Sequence, residues 1–233
     1  MTYYRYQFSF GYGLTPIMKK LIIVLVTVYL IQKLTEVGLP ETYHYHLVYY
    51  FALVPAFVWK KYFLWQLVTY IFLHGGLFHL LFNLLALWMF GGELENYMGS
   101  RRFLRYFLFC GIGAGICTVL FTPSLYQRIP VIGASGAIYG ILFAFGWLFP
   151  NRPIYLYFLF PIPAKYFVIF FGLIEFFSSI EGPGGGVSHL THLGGLAFGF
   201  FYMAYPLIRQ KIRRQYYKRR WSQKGPGNRD YYH

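Results

Sequence analysis

Gly133-Ala134-Ser135-Gly136-Ala137-Ile138-Tyr139-Gly140-Ile141-Leu142-Phe143-Ala144-Phe145-Gly146-Trp147-Leu148, closed by Phe149-Pro150, is the stretch on which the fold turns. It carries no charge, yet the run from Ser135 to Leu148 has only 14 residues. As a helix it covers about 20 Å, against a bilayer hydrocarbon core of about 30 Å. The run therefore predicts a helix that starts below one membrane surface, with the preceding loop dipping inward. Irregular backbone at that depth is tolerated only where protein buries it or water fills a cavity beside it. Ser135 stands at that start, below the membrane surface.

The rest of the chain agrees with a lipid setting. Of 233 residues, 57% are hydrophobic, 24% aromatic and 12% charged, and mean hydropathy is +0.44. About 25% charge is usual for a soluble domain, so a compact soluble fold is excluded, as is disorder, which needs the opposite composition. Five further apolar stretches, 18–37, 77–97, 103–121, 164–180 and 187–208, read as helices. The predicted fold is an all-α polytopic membrane protein, a six-helix bundle with a short central helix four. Residues 39–76, dense in Tyr, Phe and Trp, read as an interfacial first loop with short helices. The first apolar run is not closed by a small-residue cleavage site, which predicts no cleavable signal.

Residue types narrow the chemistry. Asp230 is the only aspartate among seven acidic residues, which excludes an aspartyl dyad in the membrane and a Ser-His-Asp triad. Cys110 and Cys117 are seven apart, about 10 Å along a helix. That is too far to bridge, so both read as small packing residues.

Charge sets the orientation. With the N-terminus, the 2–3 and 4–5 loops and the tail on one side, that side holds 17 of the 21 Lys and Arg. The positive-inside rule predicts a multi-pass protein of the cell membrane with both termini cytoplasmic. It divides the chain into a short N-terminus (1–17), a membrane-embedded domain (18–208) and a basic tail (209–233). Seven of the twelve residues from Arg209 to Arg220 are basic; beside a helix end such a run reads as a partner for anionic lipid headgroups rather than nucleic acid.

Helices two, four and six then all begin at the outer face, and each opens with polar residues. Helix two has His74, His79 and Asn83; helix four has Gly133, Ser135 and Tyr139; helix six has His189 and His192. His79 and Asn83 share a helix face. Small-xxx-small faces at Gly136/Gly140 and Gly195/Gly199 predict close packing of helix four on helix six, which brings Ser135 to His192. A serine hydroxyl becomes an effective nucleophile when a neighbouring base takes its proton; the Ser135 N–H, His79 and Asn83 can then stabilise the oxyanion. Plainer readings stand beside this one. Asn83 also fits an interhelical clasp, Tyr139 a packing ring, and His74 and His189 structural hydrogen bonds. Four histidines at one depth also suit a metal, although the sequence brings no carboxylate or Cys to them. Glu175, in helix five, fits either outward snorkelling or an internal polar network.

These residues resemble the rhomboid intramembrane serine proteases. The resemblance rests on His74…His79-x-x-x-Asn83, Gly133-Ala134-Ser135-Gly136 and His192-x-x-Gly195-x-x-x-Gly199, with Glu95-x-x-x-Gly99-Ser100 in the turn after helix two. It implies a minimal six-helix form and a Ser-His dyad, with Ser135 as nucleophile and His192 as base. It further implies oxyanion donors at His79, Asn83 and the Ser135 backbone, Tyr139 stacked on the base, and His74 and Gly133 in support. No metal or other cofactor is implied, and the substrates would be transmembrane proteins. An inactive rhomboid-like protein binding transmembrane clients is the alternative, and a metal-dependent membrane enzyme or transporter a third class. Trp65-Gln66 departs from the family's frequent Trp-Arg, which touches the loop's anchoring. The Gly-rich segment 181–186 suggests a lid, and helix five a lateral gate.

Overall fold

In the computed structural model, residues 13–156, 160–181 and 188–223 are described. Helices occupy all six apolar stretches: α1 (Pro16–Gly38), α5 (Leu77–Ala86) continued through a π-helical turn (Leu87–Gly91) into α6 (Gly92–Met98), α7 (Ser100–Phe121), α8 (Ser135–Leu148), α9 (Ala164–Glu181) and α10 (His189–Gln223). Among the described residues, the helices Pro16–Gly38, Leu77–Met98 and Ser100–Phe121 are long and apolar enough to cross a membrane, and Ser135–Leu148 is a shorter apolar helix. The first loop folds into the short helices α2 (Glu41–Phe51), α3 (Pro55–Lys61) and α4 (Gln66–Thr69), followed by a 3₁₀ turn at Tyr70–Phe72.

The short α8 packs against α7, α10 and α9, with nine of its residues buried. The outer helices turn large apolar side chains outward, among them Leu34, Phe82, Phe121, Phe177 and Phe201. Water cannot solvate such a surface, whereas lipid can. Close approach of α8 and α10 depends on glycine. A Cβ on Gly195 would lie 1.9 Å from the Gly136 carbonyl oxygen, and one on Gly199 would lie 3.2 Å from that of Gly140. The Tyr106 hydroxyl seals the same seam by donating to the Gly140 carbonyl at 2.6 Å. Cys110 and Cys117 are free thiols, and each fills the space beside a glycine, Gly140 and Gly194 respectively.

The irregular backbone before α8 is held by protein. Leu53 and Val131 exchange two backbone hydrogen bonds, and the Gly133 N–H donates to the Tyr70 carbonyl at 2.9 Å. Gln66 does the anchoring that the departure from Trp-Arg had placed in question. It is fully buried, accepts from the Val54 N–H at 3.0 Å and donates to the carbonyls of Tyr49 and Tyr50. A neutral amide can satisfy both kinds of group there. Glu95 plays a similar part at the opposite end. Its carboxylate accepts from the Ile17 and Met18 N–H groups at the start of α1 and from Ser100 Oγ, so it caps one helix from another.

Two expectations are corrected. The chain is not all-α: Pro153–Leu156 (β1) and Phe160–Pro163 (β2) pair antiparallel between α8 and α9. Proline at the strand ends lacks an N–H and tolerates only an edge position, and a two-stranded ribbon is all edge. The last helix does not stop at Ile208 but runs to Gln223 through Pro206, so part of the basic tail is helical. The proposed lid at 181–186, the first twelve residues and the tail beyond Gln223 fall largely or wholly outside the described residues.

Candidate active site

Ser135 is the first residue of α8, and His192 lies in the first turn of α10. The glycine seam sets the distance between them: His192 Nε2 is 2.8 Å from Ser135 Oγ. Tyr139, one turn along α8, stacks on the His192 ring with centroids 4.3 Å apart and planes 15° apart. The start of α10 is pinned by Thr191, whose hydroxyl is 2.6 Å from that of Thr118 on α7 and also bonds that of Ser188.

These groups line a cavity of about 840 Å³. Its polar wall is Ser135, His192, Tyr139, His79, Asn83 and Thr191; its apolar wall includes Phe82 and Met89 beside Phe167 and Phe171 of α9. His79 lies against Gly133, where φ is +124° and an added Cβ would fall 2.7 Å from His79 Nε2. Glycine alone suits that conformation and that space. Asn83 is buried and donates to the His79 carbonyl at 2.9 Å. His74 stands behind His79, with ring centroids 5.1 Å apart, and its backbone N–H donates to Gln32 on α1. The rhomboid domain model matches residues 62–209, which contain all of these groups except Gln32.

The chain belongs to the rhomboid family. It is 38% identical over 138 residues to rhomboid protease GluP of Bacillus subtilis, covering 59% of this chain and 25% of that protein. To the mitochondrial Rhomboid protein 1 of Saccharomyces cerevisiae it is 34% identical over 157 residues, 64% and 45% of the two chains. To rhomboid protease GlpG of Serratia proteamaculans it is 28% identical over 136 residues, 58% and 46%. The chain thus spans between a quarter and just under half of each of these relatives.

The largest difference between sequence and structure at this rhomboid site is Glu175. The sequence brings no carboxylate to the histidines, and that expectation is overturned, while the stacking of Tyr139 on the base is what the resemblance implies. Glu175 is buried and points inward. It accepts from the Tyr139 hydroxyl, lies 2.6 Å from His189 Nδ1 and has Oε1 3.0 Å from His192 Nδ1. The last is a close contact without hydrogen-bond geometry, so Nδ1 makes no directed hydrogen bond. Outward snorkelling is excluded, and His189 acquires a definite partner. The signal available in the sequence was the i, i+4, i+8 spacing of Phe167, Phe171 and Glu175 on one helix face; it does not say which neighbour that face meets. Glu175, His189 and His192 also offer three ligand atoms within 4.8 Å of one another, closer than histidine spacing alone implied.

Proposed function

We propose that this rhomboid is an intramembrane serine endopeptidase that hydrolyses peptide bonds in or next to transmembrane segments of membrane-protein substrates. The observation that carries the reading is the 2.8 Å contact of Ser135 Oγ with His192 Nε2 inside a cavity. Ser135 Oγ attacks the scissile carbonyl carbon while His192 Nε2 takes its proton, and the same nitrogen then returns the proton to the leaving amine. The developing oxyanion meets the Ser135 backbone N–H, left unpaired by its place in the first turn of α8. Asn83 Nδ2 has a second N–H to offer. His79 Nδ1 faces the Gly75 N–H at 3.5 Å, which favours the tautomer that carries its proton on Nε2 toward Gly133 and Ser135.

The protein crosses the bilayer six times, through α1, α5–α6 and α7 to α10, with both termini cytoplasmic and the cavity open to the extracytoplasmic side. The first loop lies at the outer interface, and the basic end of α10 meets anionic headgroups. A substrate helix enters beside α9, where Phe167 and Phe171 form the cavity wall. No cofactor takes part.

The test is covalent labelling of the purified protein by a fluorophosphonate, together with cleavage of a transmembrane reporter. Labelling at Ser135, lost in Ser135→Ala and His192→Ala with the melting temperature retained, is expected. Cleavage surviving in Ser135→Ala overturns the reading. A folded wild type that binds transmembrane segments but is never labelled is the inactive client-binding alternative. The cluster of Glu175, His189 and His192 gives the metal-dependent class a specific observation; stoichiometric metal and loss of activity with a chelator would establish it instead.

A further inference from the structure

We propose that Glu175 is a positioning residue for the catalytic base, a carboxylate that holds and stabilises the imidazole of the Ser135–His192 dyad. This rests on the serine-protease reading above. His192 Nε2 must be free of its proton to accept from Ser135, which requires the proton on Nδ1. Oε1 of Glu175 lies 3.0 Å from Nδ1, without hydrogen-bond geometry in the resting site, while Tyr139, stacked on the ring, donates its hydroxyl to that same Oε1. The other oxygen, Oε2, is occupied by His189 Nδ1 at 2.6 Å. One carboxylate is thereby held from two helices, α8 and α10, with one edge turned to the base.

The off-line contact in the resting site suits this role. An ionised carboxylate gains most from the imidazole once it becomes an imidazolium, and catalytic hydrogen bonds often tighten only when substrate is bound. In the proposed step the Ser135 Oγ–C bond forms and the carbonyl electron pair moves to oxygen. The Ser135 proton passes to His192 Nε2, and the Nδ1 proton stays on His192 facing Glu175. The C–N bond then breaks as Nε2–H protonates the leaving amine. Glu175 stays ionised throughout and is not consumed.

The alternative is that Glu175 merely clasps α9 to α10. Glu175→Gln keeps the size and an acceptor for Tyr139 but removes the charge. Expected are a kcat for the transmembrane reporter and a fluorophosphonate labelling rate each lower by on the order of 10²-fold, KM within about twofold and an unchanged melting temperature. In Glu175→Ala, formate should restore part of the rate, because it returns a carboxylate without the tether. Wild-type kcat in Glu175→Gln overturns the proposal. So does a loss in both variants that follows a fall in melting temperature and is untouched by formate, which marks a clasp. Metal retained by the wild type and shed by both variants also overturns it. A wild type that is never labelled at Ser135 marks instead the failure of the protease reading itself, and the positioning role falls with it.

Discussion

Asn83 is the residue at which the two readings open in the sequence, clasp or oxyanion donor, part by experiment. It spends one amide N–H on its own helix, at the His79 carbonyl, and it faces the cavity beside Ser135, so an interhelical clasp is not what it makes in the resting site. Asn83→Ala should lower kcat by about 10²-fold with KM and melting temperature nearly unchanged; a fall in melting temperature at full kcat would assign it to packing. His74 answers to pH instead. Burial, with the charge of His79 beside it, pushes its imidazole down to about 4, against about 6.5 when unfolded. Between those values the unfolded chain holds a proton that the folded one lacks, so stability falls as the pH drops from about 6.5 to about 4. In His74→Gln the melting temperature should lose that part of its pH dependence. Ser135, His192, His79, Asn83 and Tyr139 were legible because each sits at a helix start or one or two turns inside it, where spacing fixes depth. Glu175 was not, because its helix carries apolar side chains on several sides and only tertiary packing selects the inward one.

At the scale of elements, the glycine faces of α8 and α10 were readable, since small residues four apart have few other uses in a membrane helix. Their consequence is steep. In Gly195→Ala the new methyl meets a backbone oxygen that no side-chain rotation can move away. Overpacking of about 1–3 kcal/mol, at about 2–4 °C per kcal/mol for a chain of this length, should lower the melting temperature by several degrees. It should also slow Ser135 labelling, because the seam sets the distance to His192; an unchanged labelling rate would mean that the site tolerates separation of the two helices. The hairpin of β1 and β2 escaped the sequence reading because two four-residue strands bounded by proline resemble an ordinary loop. The continuation of α10 past Ile208 escaped it because a change from apolar to basic composition marks where a membrane ends and not where a helix does.

For the whole molecule, the charge asymmetry makes a definite claim about sidedness. Cysteines placed at Gly13 and at Arg214, in a background lacking Cys110 and Cys117, should react with an impermeant thiol reagent from the cytoplasmic side only. A cysteine at Ile129, in the segment before α8, should react from the outer side; the reverse pattern would overturn the assigned orientation. The stripe of Phe167, Phe171 and Glu175 joins this geometry to the chemistry. The first two side chains wall the cavity and the third faces the base, all from one rigid helix. A helix with its side chains is about 10 Å wide, so a shift of α9 that admits one beside it would carry the carboxylate well beyond its 3.0 Å contact with His192. If the proposed protease admits its substrate beside α9, passage and proton transfer would work as an interlock: the door and the starter share one shaft, and bond cleavage would wait until the helix has swung back.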